Sequence, residues 1–493
     1  MSAKPNSTLP PSRLRQIALF AGPLLALIIV LAVDIPDYPK APLMLAIVAW
    51  MATWWLTECV PLAVTALIPL IAFPLTGIAS ANDTAPRYMT SIMFLFVGGF
   101  LIAQAMERTG LHRRIALNIL HYLHRSPLQI LTGFAIATSF LSMWISNTAT
   151  AMLMVTIGIA VITRLDAVFD KKQMTVLAPA LLLVIAYAAN IGGMGTPVGT
   201  VPNLVFLENM RTSAPEMAPS FLQWMMIGVP MVIIGIVILL WLFGRQVRHL
   251  PWSHDVANGL GKELQTLGVM QRSEQFVAWV LGITALAWIT RQGIQGDTFN
   301  IPGWSLLLPH KGVDDGTVAM IAALLLFLIP VADRRPILGK EAIRHLPWDI
   351  LILLGGGFAL AMGMQQSNLS QWVGEQLHFL SAVPLPLMLL GIALSITFLT
   401  EITSNTATTQ VMLPILAAVA VASDHDLTMV LLSATLAASC AFMLPVATPP
   451  NAIIFGTERV SMDNMMRVGI RLNLLMPFVI LALVWWLRPL LPV

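Results

Sequence analysis

Two polar clusters interrupt otherwise apolar stretches: Ser146-Asn147-Thr148 within residues 127–163 and Ser404-Asn405-Thr406 within residues 384–422. Their hydroxyl and carboxamide oxygens are ligands for a hard cation, and the N–H groups opening the helix that follows each are ligands for an anion. Two further stretches are broken by glycine and proline, one through Gly192-Gly193, Gly195-Thr196-Pro197 and Gly199-Thr200-Val201-Pro202-Asn203, the other through Ala447-Thr448-Pro449-Pro450-Asn451. Unwinding of this kind frees backbone carbonyls and amides, which in apolar surroundings must find ligands. None of the 27 Lys and Arg lies in these four segments. An anion bound there would be held by dipoles, amides and hydroxyls, with its charge offset by cations bound beside it. Donor sets made of oxygen alone suit Na⁺ rather than a transition metal, so sodium coupling is the physical expectation. The plainer reading, that Ser, Asn and Thr merely cap a helix, explains one such cluster but not its duplication.

The duplication is extensive. Phe94-Leu-Phe-Val-Gly-Gly-Phe100 matches Ile352-Leu-Leu-Gly-Gly-Gly-Phe358, and Ser139 to Thr150 matches Thr397 to Thr408, both at a spacing of 258 residues. Gly199-Thr-Val-Pro-Asn203 matches Ala447-Thr-Pro-Pro-Asn451 at a spacing of 248. Three blocks recurring in one order are an internal repeat.

Composition supplies the setting. With 57% hydrophobic and 10% charged residues, against roughly 25% charged in soluble domains, the 493-residue chain reads as an all-α polytopic membrane protein. This excludes a soluble enzyme, a nucleic-acid binder and a disulfide scaffold; Cys59 and Cys440 are far apart in apolar segments. At about 20 apolar residues per crossing, spans are predicted near 16–33, 43–57, 61–77, 89–106, 174–190, 222–243, 275–290, 315–331, 349–365, 427–444 and 468–487. The fifth continues as a broken helix over 174–210, and the tenth over 427–457. That makes about 11 transmembrane helices, with the two interrupted stretches, 127–163 and 384–422, read as re-entrant hairpins.

Charge placement argues for the hairpins. With a cytoplasmic N-terminus and both hairpins returning to the side they left, only Lys40, Arg87, Arg211, Arg291, Lys311 and Arg488 fall outside, as the positive-inside rule requires. The C-terminus then lies outside. Basic residues flank the first hairpin, whereas Glu375, Asp424 and Asp426 flank the second, so one enters from each face. Five crossings separate the two Gly-Gly-Phe helices, and an odd number inverts the copy. Two inverted-topology repeats with paired broken helices are an arrangement of secondary transporters. Residues 1–15 read as a disordered cytoplasmic tail before an uncleaved first helix, and 244–274 as a cytoplasmic loop between the halves.

Other chemistries find little support. Gly261-Lys262 and Gly339-Lys340 are each followed by Glu, so no ATP-binding loop occurs. The nine His fall in or at the ends of polar connections, and no nucleophile with a base or metal cluster sits at membrane depth. An ion channel would need a continuous polar pore instead of breaks at one depth. Glu58 and Glu401 lie at or near membrane depth; Glu401 is read as completing a hydrogen-bond network, since a fixed carboxylate in an anion site would repel the ligand.

At Trp54-Trp55-Leu-Thr-Glu58, Pro61, Thr65-Ala-Leu-Ile-Pro69, both Ser-Asn-Thr hairpins and Thr448-Pro-Pro-Asn451, the sequence resembles the divalent anion:sodium symporter family, over nearly the whole chain. That family carries di- and tricarboxylates or sulfate. The resemblance implies a homodimer working as an elevator in the cytoplasmic (inner) membrane, with a scaffold part (16–126 and 275–383) and a mobile transport part (127–243 and 384–493). It implies a first Na⁺ site at Ser142, Ser146, Asn147 and Gly199, and a second at Thr400, Ser404, Asn405 and Ala447. Substrate carboxylates would meet Asn147, Thr148, Asn405 and Thr406, with Thr200, Thr448 and Pro449 nearby. Val201 departs from the pattern, which usually has the first of two prolines there. Two pseudo-symmetric Asn-Thr pairs suit a ligand with a carboxylate at each end, hence a C4 dicarboxylate such as succinate, malate or fumarate, with no organic cofactor. A sodium-independent citrate/succinate-type exchanger and a sulfate transporter are the alternatives.

Overall fold

In the computed structural model the described residues are all but 1–12, 124, 167–168, 251–263, 296–299, 311, 333–334 and 492–493. Most of the predicted tail and part of the 244–274 loop therefore lie outside the described residues. Helix occupies each predicted span, though the first starts at Arg13 and the third is two short pieces, Leu62–Thr65 and Ile68–Thr76. Pro61 opens the first piece, and Pro69 lies in the first turn of the second, where its missing N–H costs nothing. Among the described residues nine helices are long and apolar enough to cross a membrane, and two of these, Asn147–Asp166 and Asn405–Ala422, are second arms of the hairpins. Several other predicted spans, such as Ala41–Thr57 and Asp315–Leu328, are shorter helices. Of two small antiparallel strand pairs, Gly293–Gln295 with Asn300–Pro302 lies where only a connection was predicted, whereas Pro330–Ala332 with Arg335–Pro336 takes over the end of the span predicted at 315–331, whose helix stops at Leu328 ahead of Pro330.

The hairpins appear as helix pairs. Pro127–Ser142 and Asn147–Asp166 flank residues 143–146, and Leu385–Leu399 and Asn405–Ala422 flank residues 400–404. The first broken helix is Lys171–Gly193, then 194–200, then Val201–Ser213; the second is Leu427–Ala438, then 439–448, then Pro449–Phe455. Proline at the second position of each continuation helix sits where its fixed backbone angle favours helix initiation.

By packing, the chain divides into two compact units. The smaller comprises 1–90, 347–384 and 407–427; its core gathers Met44, Met51, Trp55, Phe73, Leu360 and Met364. The larger comprises 91–346, 385–406 and 428–493, and it holds both hairpin tips and both broken helices. Inside the larger unit, Arg291 and Asp315 form a buried ion pair at 2.6 Å, and Arg114 pairs with Glu274 at 3.0 Å while also donating to the Leu267 and Gly268 carbonyls.

Candidate binding site at the hairpin tips and helix breaks

The first cluster is organised by Ser142. Its hydroxyl oxygen lies 2.7 Å from Asn147 Oδ1 and 2.7 Å from the Ala189 carbonyl oxygen. Ser142 is fully buried, and Asn147, which opens the second arm, is half-buried. In the second half Thr400 repeats the arrangement, its hydroxyl 2.6 Å from Asn405 Oδ1 and 3.0 Å from the Ala438 carbonyl oxygen. In this amide orientation each hydroxyl has one hydrogen and two acceptor oxygens, so it cannot serve both fully. Three oxygens converge at each point, a donor set suited to a small hard cation.

The breaks are braced by matched asparagines. Asn203 donates to the carbonyls of Gly193 and Thr196 at 3.0 and 2.7 Å, and Asn451 donates to those of Ala441 and Leu444 at 3.2 and 3.1 Å. These partners are related by the same spacing of 248 residues found in the sequence. The Gly199 N–H donates to Thr196 O and the Ala447 N–H to Leu444 O, each at 3.2 Å. Asn190 joins the halves, donating to Ala441 O at 3.2 Å and to Thr448 Oγ1 at 3.1 Å.

Close packing holds the first break against its hairpin. A Cβ on Gly193 would stand 2.6 Å from Asn147 Oδ1, so only glycine lets that carboxamide lie flat on the broken helix. The corresponding residue of the second half is Ala441.

Glu401 takes a definite place. One carboxylate oxygen accepts from the N–H groups of Phe442 and Met443 (2.6 and 2.8 Å) and from Asn473 Nδ2 (2.6 Å); the other accepts from the Leu444 N–H (3.0 Å). Its charge is spent on the loop of the second break, in the network role expected of it. The first half has Met143 there, whose carbonyl instead accepts the Thr196 hydroxyl.

The remaining predicted residues divide by exposure. Ser146 caps the second arm, accepting the Ala149 N–H at 3.3 Å. Thr448 is buried and serves as an N-cap, accepting from the Asn451 N–H, whereas Thr200, at the equivalent cap, makes no such bond and is half-buried. The side chains of Thr148, Thr200 and Thr406 make no hydrogen bond among the described residues, which leaves their hydroxyls open to a ligand, and Pro449 is exposed. Sequence reasoning missed Asn190 and Asn473, and quoted Asn203 and Asn451 without a role. The available signal was an asparagine inside an apolar run, since a buried carboxamide must find partners.

The transmembrane region of sodium:sulfate symporters matches residues 15–493. The chain belongs to this divalent anion:sodium symporter family. Among curated relatives of the symporter, the sodium-dependent dicarboxylate transporter SdcS of Staphylococcus saprophyticus is 42% identical over 96% of this chain and 91% of the relative. SdcS of Staphylococcus aureus strain USA300 is 39% identical over the same shares. The symporter's fold is similar to two solved structures: the YdaH transporter of Alcanivorax borkumensis (TM-score 0.55, 13% identity, 85% of this chain and 89% of that one) and MtrF of Neisseria gonorrhoeae (TM-score 0.56, 12% identity, 85% and 83%). Family and helices together make it a multi-pass membrane protein.

Proposed function

We propose that this symporter moves a C4 dicarboxylate such as succinate, malate or fumarate across the cytoplasmic membrane together with Na⁺. The observation that carries the reading is the duplicated oxygen cluster, Ser142-Asn147-Ala189 and Thr400-Asn405-Ala438, built without a Lys or Arg. A Na⁺ at each cluster, completed by backbone carbonyls near Ser146 and Gly199 or near Ser404 and Ala447, would take up the oxygens that one hydroxyl hydrogen cannot satisfy. It would also place positive charge beside the opening turns of Asn147–Asp166 and Asn405–Ala422, whose N–H groups favour carboxylates. Asn147-Thr148 and Asn405-Thr406 would then hold one carboxylate each, with Thr200, Thr448 and Pro449 nearby. Because the anion carries two negative charges and these clusters hold no Lys or Arg to offset them, substrate affinity depends on bound cations. That dependence is thermodynamic coupling.

The larger arrangement belongs to the same proposal. Two inverted repeats, a cytoplasmic N-terminus, an outside C-terminus, a homodimer, and a transport part (127–243 and 384–493) moving against a scaffold part (16–126 and 275–383) follow from charge placement and from family resemblance. SdcS, by name a sodium-dependent dicarboxylate transporter, supports the choice of substrate and ion.

The test is uptake of labelled succinate into proteoliposomes under an inward Na⁺ gradient, an equal K⁺ gradient, or internal succinate without Na⁺. Uptake only with Na⁺ is expected. Uptake driven only by internal anion would make the protein an exchanger and remove both cation sites. No succinate movement in any arm would redirect the substrate to citrate or sulfate.

A further inference from the structure

Helices Phe221–Val247 and Met462–Leu487, both in the larger unit, enclose an apolar trough of about 650 Å³. Val237 and Trp241 line one wall, Leu475, Phe478 and Trp486 the other. Val237, Trp241, Phe478 and Trp486 are each more than half exposed.

The two helices run in opposite directions. On Phe221–Val247, Gly228 lies against Met194 and Gly235 against Ile191, antiparallel to Lys171–Gly193. On Met462–Leu487, the Met465 carbonyl accepts the Tyr187 hydroxyl and Met476 reaches Gly235, so this helix runs parallel to Lys171–Gly193. Residues beyond Trp241 and residues before Leu475 therefore share one end of the trough.

Among the described residues that end carries positive charge with no ion-pair partner. The Arg245 guanidinium stacks on the Trp241 ring, 4.8 Å from its centroid. Arg471 lies four residues before Leu475, on the same face at helical spacing. Both are exposed, and neither makes an ion pair among the described residues. Phe221–Val247 contains no Asp or Glu, and the sole acid of Met462–Leu487, Asp463, is paired with Arg467 at 2.9 Å. From Arg245 back to Ile234 is about 16 Å along the helix, roughly half the hydrocarbon thickness of a bilayer.

We propose that this trough is a binding site for one anionic phospholipid, its phosphate held between Arg245 and Arg471 and its acyl chains laid along Val237, Trp241, Leu475 and Phe478. The length matches one leaflet. Two arginines with no ion-pair partner among the described residues favour a headgroup lacking an ammonium, of the phosphatidylglycerol type.

Native mass spectrometry of the full-length protein in mild detergent, titrated with dioleoyl phosphatidylglycerol or dioleoyl phosphatidylcholine, tests the proposal. The wild type should retain one phosphatidylglycerol per chain at about tenfold lower lipid concentration than phosphatidylcholine, since both lipids offer the phosphate but only the choline sets a positive charge beside the two arginines. The Arg245→Gln/Arg471→Gln double variant should lose that preference with its thermal midpoint unchanged, and Arg245→Lys should keep most of it. Equal retention of the two lipids by the wild type, or an undiminished preference in the double variant, would overturn the assignment. A double variant that separates into smaller assemblies would instead mean that a second copy of the chain covers the trough, which overturns it as well.

Discussion

The two halves of the candidate site share their hydroxyl–carboxamide and asparagine–carbonyl contacts but support them by different means. In the first, the break from 193 to 196 is held close by glycine packing under Asn147 and by the Thr196 hydroxyl on Met143 O. In the second, three consecutive N–H groups and Asn473 close on the Glu401 carboxylate, and alanine replaces glycine at 441. What the repeat preserves is therefore the position of the carbonyl and hydroxyl oxygens. The scaffold behind those oxygens was free to diverge, toward steric fit on one side and fixed charge on the other.

The hydroxyl-carboxamide pairs are common to both halves, so breaking either should have the largest effect. Asn147→Ala and Asn405→Ala are each expected to reduce Na⁺-driven succinate uptake by about 100-fold or more, a site oxygen and an anion contact being lost together. The folded protein should survive in size-exclusion chromatography. Near-normal uptake by both would remove these residues from the site.

Glycine packing separates the halves next. Gly193→Ala should cut uptake by about 10- to 100-fold, because displacing Asn147 by a fraction of an ångström to an ångström is enough. The reciprocal Ala441→Gly, read in the same liposomes, should stay within about twofold, since a buried Gly for Ala costs only about 1 kcal/mol. Equal losses from the two would erase the distinction.

Charge separates them in the opposite sense. Glu401→Gln turns an acceptor-only carboxylate into a group whose NH₂ faces backbone donors, and should cost about 2–3 kcal/mol of stability; Met143→Leu, which keeps volume and polarity, should cost less than about 1.5 kcal/mol. Thermal unfolding in detergent reads both. A stable Glu401→Gln protein would mean the carboxylate does not hold the loop.

The smallest effects test the symmetry itself. Asn203→Ala and Asn451→Ala each remove two hydrogen bonds to matched carbonyls, Asn451→Ala also a longer one accepted from Asn190 at 3.4 Å, and should lower stability by similar amounts, about 1–3 kcal/mol. A large disparity in their unfolding midpoints would show that the bracing is not equivalent.

Much of this was legible in the residues. Apolar run length located the helices, because a bilayer sets a minimum span, and duplicated Ser-Asn-Thr and Gly/Pro blocks located the tips and breaks, because such residues are tolerated in apolar surroundings only with partners. Ser142 and Thr400 entered by resemblance, and the structure supplies the oxygens that surround them. The roles of Asn190 and Asn473 were not legible. Each is one carboxamide in an apolar helix, and its partners, Ala441, Thr448 and Glu401, lie far away in sequence.

Residue order alone establishes that this chain is helical, built from two related halves, and without basic residues where its polar breaks fall, since composition, repeat spacing and charge placement are properties of order along the chain. Packing in three dimensions was needed to show which oxygens converge, that Glu401 is occupied by backbone amides, that Thr448 is buried as a cap while the Thr200 hydroxyl is open, and that Arg245 and Arg471 share one end of a trough. Those facts depend on distances between segments remote in sequence, which helix packing alone sets.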